Sequence, residues 1–196
     1  MRAIPMSNML KSNIETVQTL LNELVALADP LEQAASLIRD ALLAGRTVMC
    51  CGNGGSAADC AHLSAELAGR YDIERRGYCA IDLTANHSLI TALINDYPAA
   101  EVFARQIQAI GHAGDVLVAI STSGKSENVR LAIQAANDKG LHTIALLGKG
   151  GGVCKGLATV EIIAPSDVTA RVQEAHLFLY HNICEAIDQA LADGGA

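Results

Sequence analysis

From Met9 to Ala28 the chain places Leu10, Ile14, Val17, Leu21 and Leu24 at helical spacing, which predicts an amphipathic helix. Asp29-Pro30 then supplies a cap and a first-position proline for a second helix ending near Gly45. Beyond Gly45 the pattern changes. Apolar runs at Thr47–Cys51, Tyr78–Leu83, Val116–Ile120, Thr143–Leu147 and Val160–Ile163 each hold four to six residues rich in β-formers. Helical patterns separate the first four runs, and the last leads into a long amphipathic helix from about Val168 to Leu191. None of the runs alternates strictly, so their strands are predicted to be buried on both faces, in a mostly parallel sheet of five strands covered by helices. The expected class is α/β with one domain over 1–196: two N-terminal helices over about 1–45, then the α/β core and C-terminal helix over about 46–192. No repeat or linker interrupts it, and Gly194-Gly195 marks an expected frayed end.

Composition narrows the chemistry. The chain is 51% hydrophobic and 18% charged, which excludes disorder, and with no Trp and few Phe or Tyr the core must be aliphatic. A formal net charge of −7 argues against a nucleic-acid partner. No run approaches the roughly 20 apolar residues of a membrane span, and no signal-type apolar segment opens the chain. A cytoplasmic protein that does not engage membranes is expected. Cys50 and Cys51 are adjacent, and Cys60, Cys79, Cys154 and Cys184 sit in apolar segments, so all six read as buried free thiols. No CxxC occurs, which leaves a thiolate zinc site without support.

Ligands of open parallel sheets bind at the carboxyl ends of strands, and two such loops stand out. The first, Gly52-Asn53-Gly54-Gly55-Ser56, leads into a helix with Ser56 as its expected cap and Asp59 three residues on. Its glycines allow close backbone approach to an anion at a helix N-terminus. Gly52 to Ala57 also matches G-x-G-x-x-A, with Asp82 near the end of the next strand, so a dinucleotide site is an alternative. Little chain remains, however, for a separate substrate domain. The second loop, Ser121-Thr122-Ser123-Gly124-Lys125-Ser126, offers four hydroxyls ahead of a helix starting near Ser126, which suits a phosphate. A nucleotide P-loop is excluded there, because its first glycine would fall at Ala119.

After the first loop, His62 and Glu66 are four residues apart and share one helix face, a spacing that can hold a divalent ion or simply a hydrogen bond. On the last helix Gln173 and His181 are further candidates, and His176 is not separable from His181 by local pattern.

Cys51-Gly-Asn-Gly-Gly-Ser-Ala-Ala-Asp59 with His62-x-x-x-Glu66 resembles the first signature of bacterial phosphoheptose isomerases. Asn95-Asp96, Ser121 to Ser126, and Ala170-Arg-Val-Gln-Glu174 with His181 match the remaining signatures in order, over nearly the whole chain. The resemblance implies a sugar isomerase (SIS) fold, a three-layer sandwich. It also implies conversion of sedoheptulose 7-phosphate to D-glycero-D-manno-heptose 7-phosphate, the first step towards the heptose of bacterial surface polysaccharides. One zinc ion per active site would be held by His62, Glu66, Gln173 and His181. Ser121, Thr122, Ser123 and Ser126 would hold phosphate, with Asn53, Gly54, Gly55, Asn95 and Asp96 lining the sugar site alongside Glu66 and Gln173. Three places depart from the family pattern: Thr84-Ala85-Asn86-His87-Ser88, Ile94 and Pro98.

Aldose–ketose isomerisation moves a proton between C1 and C2 through an enediol, so it needs a base at carbon and an acid at the carbonyl oxygen. Glu66 is assigned the base role and His181 the acid or shuttle role. Gln173 and His181 lie about 12 Å apart along one helix and roughly 80° apart around it. They therefore reach one ion only at full extension, unless one comes from another chain. A homo-oligomer, expected to be a tetramer with shared sites, follows from this and from the resemblance. A different class, a regulator or adaptor of the same fold with a degraded site, is disfavoured by the complete set His62, Glu66, Gln173 and His181.

Overall fold

A computed structural model of the protein describes residues 5–194; of the expected frayed end, Gly194 is instead the last residue of the C-terminal helix and Gly195 lies outside the described residues. Helix α1 spans Met6–Glu23, and a 3₁₀ turn at Leu24–Leu27 joins it directly to α2, Ala28–Leu43. The second helix thus starts ahead of the expected cap. Asp29 lies within its first turn, where an acid faces the positive end of the helix dipole. Pro30 is its third residue, a position whose N–H has no intrahelical partner to lose.

The core alternates strand and helix: β1 Val48–Gly52, α3 Gly55–Ala68, β2 Ala80–Asp82, α4 His87–Asp96, α5 Val102–Ile110, β3 Val116–Ser121, α6 Glu127–Asp138, β4 His142–Leu147, β5 Val160–Ile163 and α7 Thr169–Gly194. All five strands are parallel, in the order β2-β1-β3-β4-β5. The two central strands β1 and β3 are buried throughout, which is why their sequences carry no alternation. At the edge, β2 is only half-buried and shorter than its apolar run.

Side chains alternate between two cores. Val48, Cys50, Val116, Val118, Ile144 and Ile162 point to the layer made by α2, α3 and α7. Met49, Cys51, Leu117, Ala119 and Ala145 point to the layer of α5 and α6. The strand period of two therefore sends the adjacent Cys50 and Cys51 into different cores. All six cysteines are free and five are buried; Cys79 is exposed beside Thr47, contrary to expectation, because it precedes the edge strand.

The order places β1 between β2 and β3, and α3 and α6 leave their strands towards opposite layers. A crevice opens where the connections diverge, at the carboxyl ends of β1 and β3. The two loops singled out by sequence flank it.

Candidate active site

The first loop turns sharply into α3. Gly54 (φ 58°) is the N-cap residue, and no side chain caps the helix. Ser56 is instead the helix's second residue and is buried, so the expected capping role falls to backbone alone: the Ser56 N–H donates to the Asn53 carbonyl at 3.0 Å. Asp59 does not reach back either. Its Oδ2 is buried without a hydrogen-bond partner, and burial raises its carboxyl to about 6 against the lowering influence of His62. A methyl group on Gly55 would overlap the Gln173 carboxamide, so any side chain there would displace the end of Gln173. Gln173, far away in sequence, thus lies directly against the first loop.

The second loop holds its own shape. Ser121 Oγ accepts the Gly124 N–H at 3.1 Å and lies 3.1 Å from Ser126 Oγ, while Ser123 Oγ accepts the Lys125 N–H at 3.2 Å. Ser126 is the N-cap residue of α6, and its side chain caps no N–H of the helix. Behind the loop, Gly124 packs against Gly151 and Gly152 so closely that a side chain on Gly124 or Gly152 would meet backbone. The glycine run after β4 has the composition of a tight backbone approach, though no local motif marks it as part of a site. Asn128 was also missed: it exchanges two amide hydrogen bonds with Asn53, at 2.8 and 3.0 Å, and so ties the two loops across the crevice.

On α3, His62 Nε2 lies 2.9 Å from Glu66 Oε1, as the four-residue spacing requires. His62 Nδ1 meets the hydroxyl of Tyr180 at 2.9 Å. The His181 ring sits 5.0 Å from the His62 ring and 5.0 Å from Tyr180, centroid to centroid. Burial, then the neighbouring His62, lowers the His181 pKa, with Glu66 opposing. His176 proves to be the packing histidine. It is fully buried, its Nε2 is 3.0 Å from the Leu147 carbonyl oxygen, and burial lowers it to about 4.

Thus α3 and α7 bring together His62, Glu66 and His181 and set Gln173 beside the first loop. Asn95 and Asp96 lie apart in polar contacts: at the exposed end of α4, Asn95 donates to Asp96 at 2.8 Å, and neither hydrogen-bonds to a loop. Imidazole, carboxylate and carboxamide donors suit a borderline divalent ion such as zinc. The His62–Glu66 pair fits two adjacent ligand positions, and the Tyr180 hydroxyl is the kind of outer partner that orients a ligating imidazole. Among the described residues, no group of three or more His, Cys, Asp or Glu side chains is gathered closely enough to hold an ion. With side chains 43% and 21% exposed, His62 and Glu66 face an opening rather than a closed cage.

Comparison with known proteins supplies the remaining findings. Residues 13–148 match the family model of the SIS domain. The phosphoheptose isomerase of Shewanella denitrificans is 47% identical over 180 residues, covering 90% of this chain and 92% of that protein. The solved structure of the phosphoheptose isomerase from Neisseria gonorrhoeae matches with a TM-score of 0.89 at 38% identity, over 94% of this chain and all of that one. That of Francisella tularensis gives 0.91 at 34% identity, over 95% of this chain and all of its own.

Proposed function

The chain belongs to the phosphoheptose isomerase family of SIS-domain proteins and is a sugar-phosphate isomerase; from that premise we propose the substrate and the role of each site residue. The substrate is sedoheptulose 7-phosphate and the product D-glycero-D-manno-heptose 7-phosphate, made in the cytoplasm for surface polysaccharide. The entire chain acts as one SIS domain. The observation that supports this reading most is the gathering of His62 and Glu66 on α3 with His181 of α7, while Gln173 of the same helix lies against the first loop.

Ser121, Thr122, Ser123 and Ser126 hold the phosphate at the N-terminus of α6, where free N–H groups and the helix dipole favour an anion. Asn53, Gly54 and Gly55 line the sugar; Asn95 and Asp96, exposed at the end of α4, are assigned to the same lining on the family resemblance. Glu66 removes a proton from C1, leaving the enediol, and returns a proton to C2. His181 delivers a proton to O2 and accepts the one leaving O1, so that the carbonyl passes from C2 to C1. His62, Glu66, Gln173 and His181 would hold a zinc ion, which supplies Lewis-acid polarisation of the sugar oxygens when bound. Since His62 and Glu66 are open on one side, a homotetramer whose neighbouring chains complete the site is part of the proposal.

Turnover of five-, six- and seven-carbon ketose phosphates tests the substrate, and a preference for five or six carbons would refute it. Glu66→Gln should lower kcat at least about 100-fold while leaving inorganic phosphate competition intact. Elemental analysis tests the ion. Light scattering reads the oligomer, and activity recovered on mixing Glu66 and His181 variants reads the sharing of sites.

A further inference from the structure

We propose that Tyr180 is a positioning residue whose hydroxyl fixes the tautomer and orientation of His62. The inference rests on the reading that His62 belongs to the active site, and it concerns a residue that neither motif nor loop brought into view.

Tyr180 sits on α7 in the core between that helix, α3 and the sheet, with 0% of its surface exposed. A buried phenol keeps its hydroxyl only if the hydroxyl finds a partner. The partner is His62 Nδ1, 2.9 Å away on the opposite helix. The two rings meet edge-on, with centroids 5.5 Å apart and planes at 81°. The other nitrogen, Nε2, is 2.9 Å from Glu66 Oε1. An ionised carboxylate only accepts, so Nε2 carries the proton in this arrangement and Nδ1 accepts from the Tyr180 hydroxyl. The hydroxyl hydrogen is thereby committed to Nδ1 and the Nε2 proton to Glu66, so the two partners hold one tautomer of His62 between them. Because Tyr180 is anchored in the core, it also fixes His62 relative to α7, the helix that carries Gln173 and His181. Partners of this kind are worth about 10- to 100-fold in metal affinity or activity.

Tyr180→Phe removes the oxygen and keeps the ring. The variant should melt near the wild type, with kcat about 10- to 100-fold lower and KM changed less than about threefold, because the phosphate loop is untouched. Nitrogen-15 NMR of the metal-free protein, prepared by dialysis against a chelator, gives a readout that packing alone would not move. In the wild type the His62 signals should show Nε2 protonated and Nδ1 bare, and in Tyr180→Phe they should move towards a mixture of tautomers. Wild-type kcat in Tyr180→Phe would overturn the proposal, and so would unchanged His62 signals. A metal-free wild type with the proton on Nδ1 overturns it without any variant. His62→Ala separates the two levels. If that change leaves full activity, the reading of His62 as a site residue fails and takes this proposal with it. If His62→Ala is inactive while Tyr180→Phe is unaffected, only the role of Tyr180 falls.

Discussion

Arg75 and Asp188 form an ion pair with Nε 2.6 Å from Oδ1, and their side chains are only 7% and 2% exposed. Each partner is otherwise satisfied. Arg75 donates to the carbonyls of Glu66, Leu67, Gly69 and Arg76, and Asp188 Oδ2 accepts the N–H groups of Asp72 and Ile73. The pair therefore clamps the end of α3, one residue stretch past His62 and Glu66, onto α7 two turns beyond His181. Burial pushes the Asp188 carboxyl up, but the hydrogen bonds from Arg75, Asp72 and Ile73 and the guanidinium charge outweigh it and hold the pKa below its ordinary value.

Removing one partner should leave an uncompensated buried charge. Asp188→Ala is expected to cost about 3–5 kcal/mol in urea unfolding, whereas a double replacement of Arg75 and Asp188 by Met and Leu should cost clearly less than the sum of the single changes. Additive losses would show that the two residues do not act as a pair.

Acid should weaken the fold first through His176. Its folded pKa of about 4 lies below the unfolded value of about 6.5, so its contribution is complete above pH 6.5 and is lost as pH falls towards 4. The His176 share of the loss between pH 7 and pH 5 should be about 2 kcal/mol, opposed by Asp59, whose carboxyl, raised to about 6, takes up a proton over the same interval and favours the fold as it does. Replacing His176 with Asn should remove the loss and leave stability level or rising towards pH 5 through Asp59, although the variant starts lower. Asp188 acts in a lower window, because its contribution is complete above the unfolded carboxylate value of about 4 and disappears only below it. Melting curves at pH 7.5, 6 and 5 distinguish the two groups.

Ser126 allows a test in which stability and affinity move in opposite directions. It is the N-cap residue of α6 without a side-chain cap, so Asp there should accept a helix N–H and stabilise by up to about 1 kcal/mol. The same carboxylate would repel a bound phosphate and should raise KM at least about tenfold. A more stable enzyme with unchanged KM would remove the second loop from phosphate binding. Ser121 is less suited to this test, since its Oγ already accepts the Gly124 N–H and its loss would deform the loop.

The sequence by itself determined the elements and the two loops. Unbroken apolar runs mark strands buried on both faces, helical periodicity marks their covers, and glycines or hydroxyls directly after a strand mark where backbone must meet a ligand. His62 and Glu66 were equally legible, because a separation of four residues fixes a shared helix face whatever the rest of the chain does. Tertiary structure alone decided what stands opposite them. Whether His176 or His181 faces the crevice depends on how α7 is rotated on the sheet, and packing of Val172, Ala175, Leu179 and Ile183 sets that rotation. Tyr180 against His62, Asn128 against Asn53, and Asp188 against Arg75 are contacts between residues 75 to 118 positions apart. A hydrogen bond is satisfied or orphaned only once the fold has chosen its neighbours, and no local spacing carries that information. The start of α2 and the missing cap at Ser56 differ from expectation for a related reason. The 3₁₀ turn runs α1 directly into α2 and leaves no free helix start at Asp29, and the positive φ of Gly54 turns the first loop into α3 on backbone alone. Side-chain capping worth about 1 kcal/mol is therefore not called on.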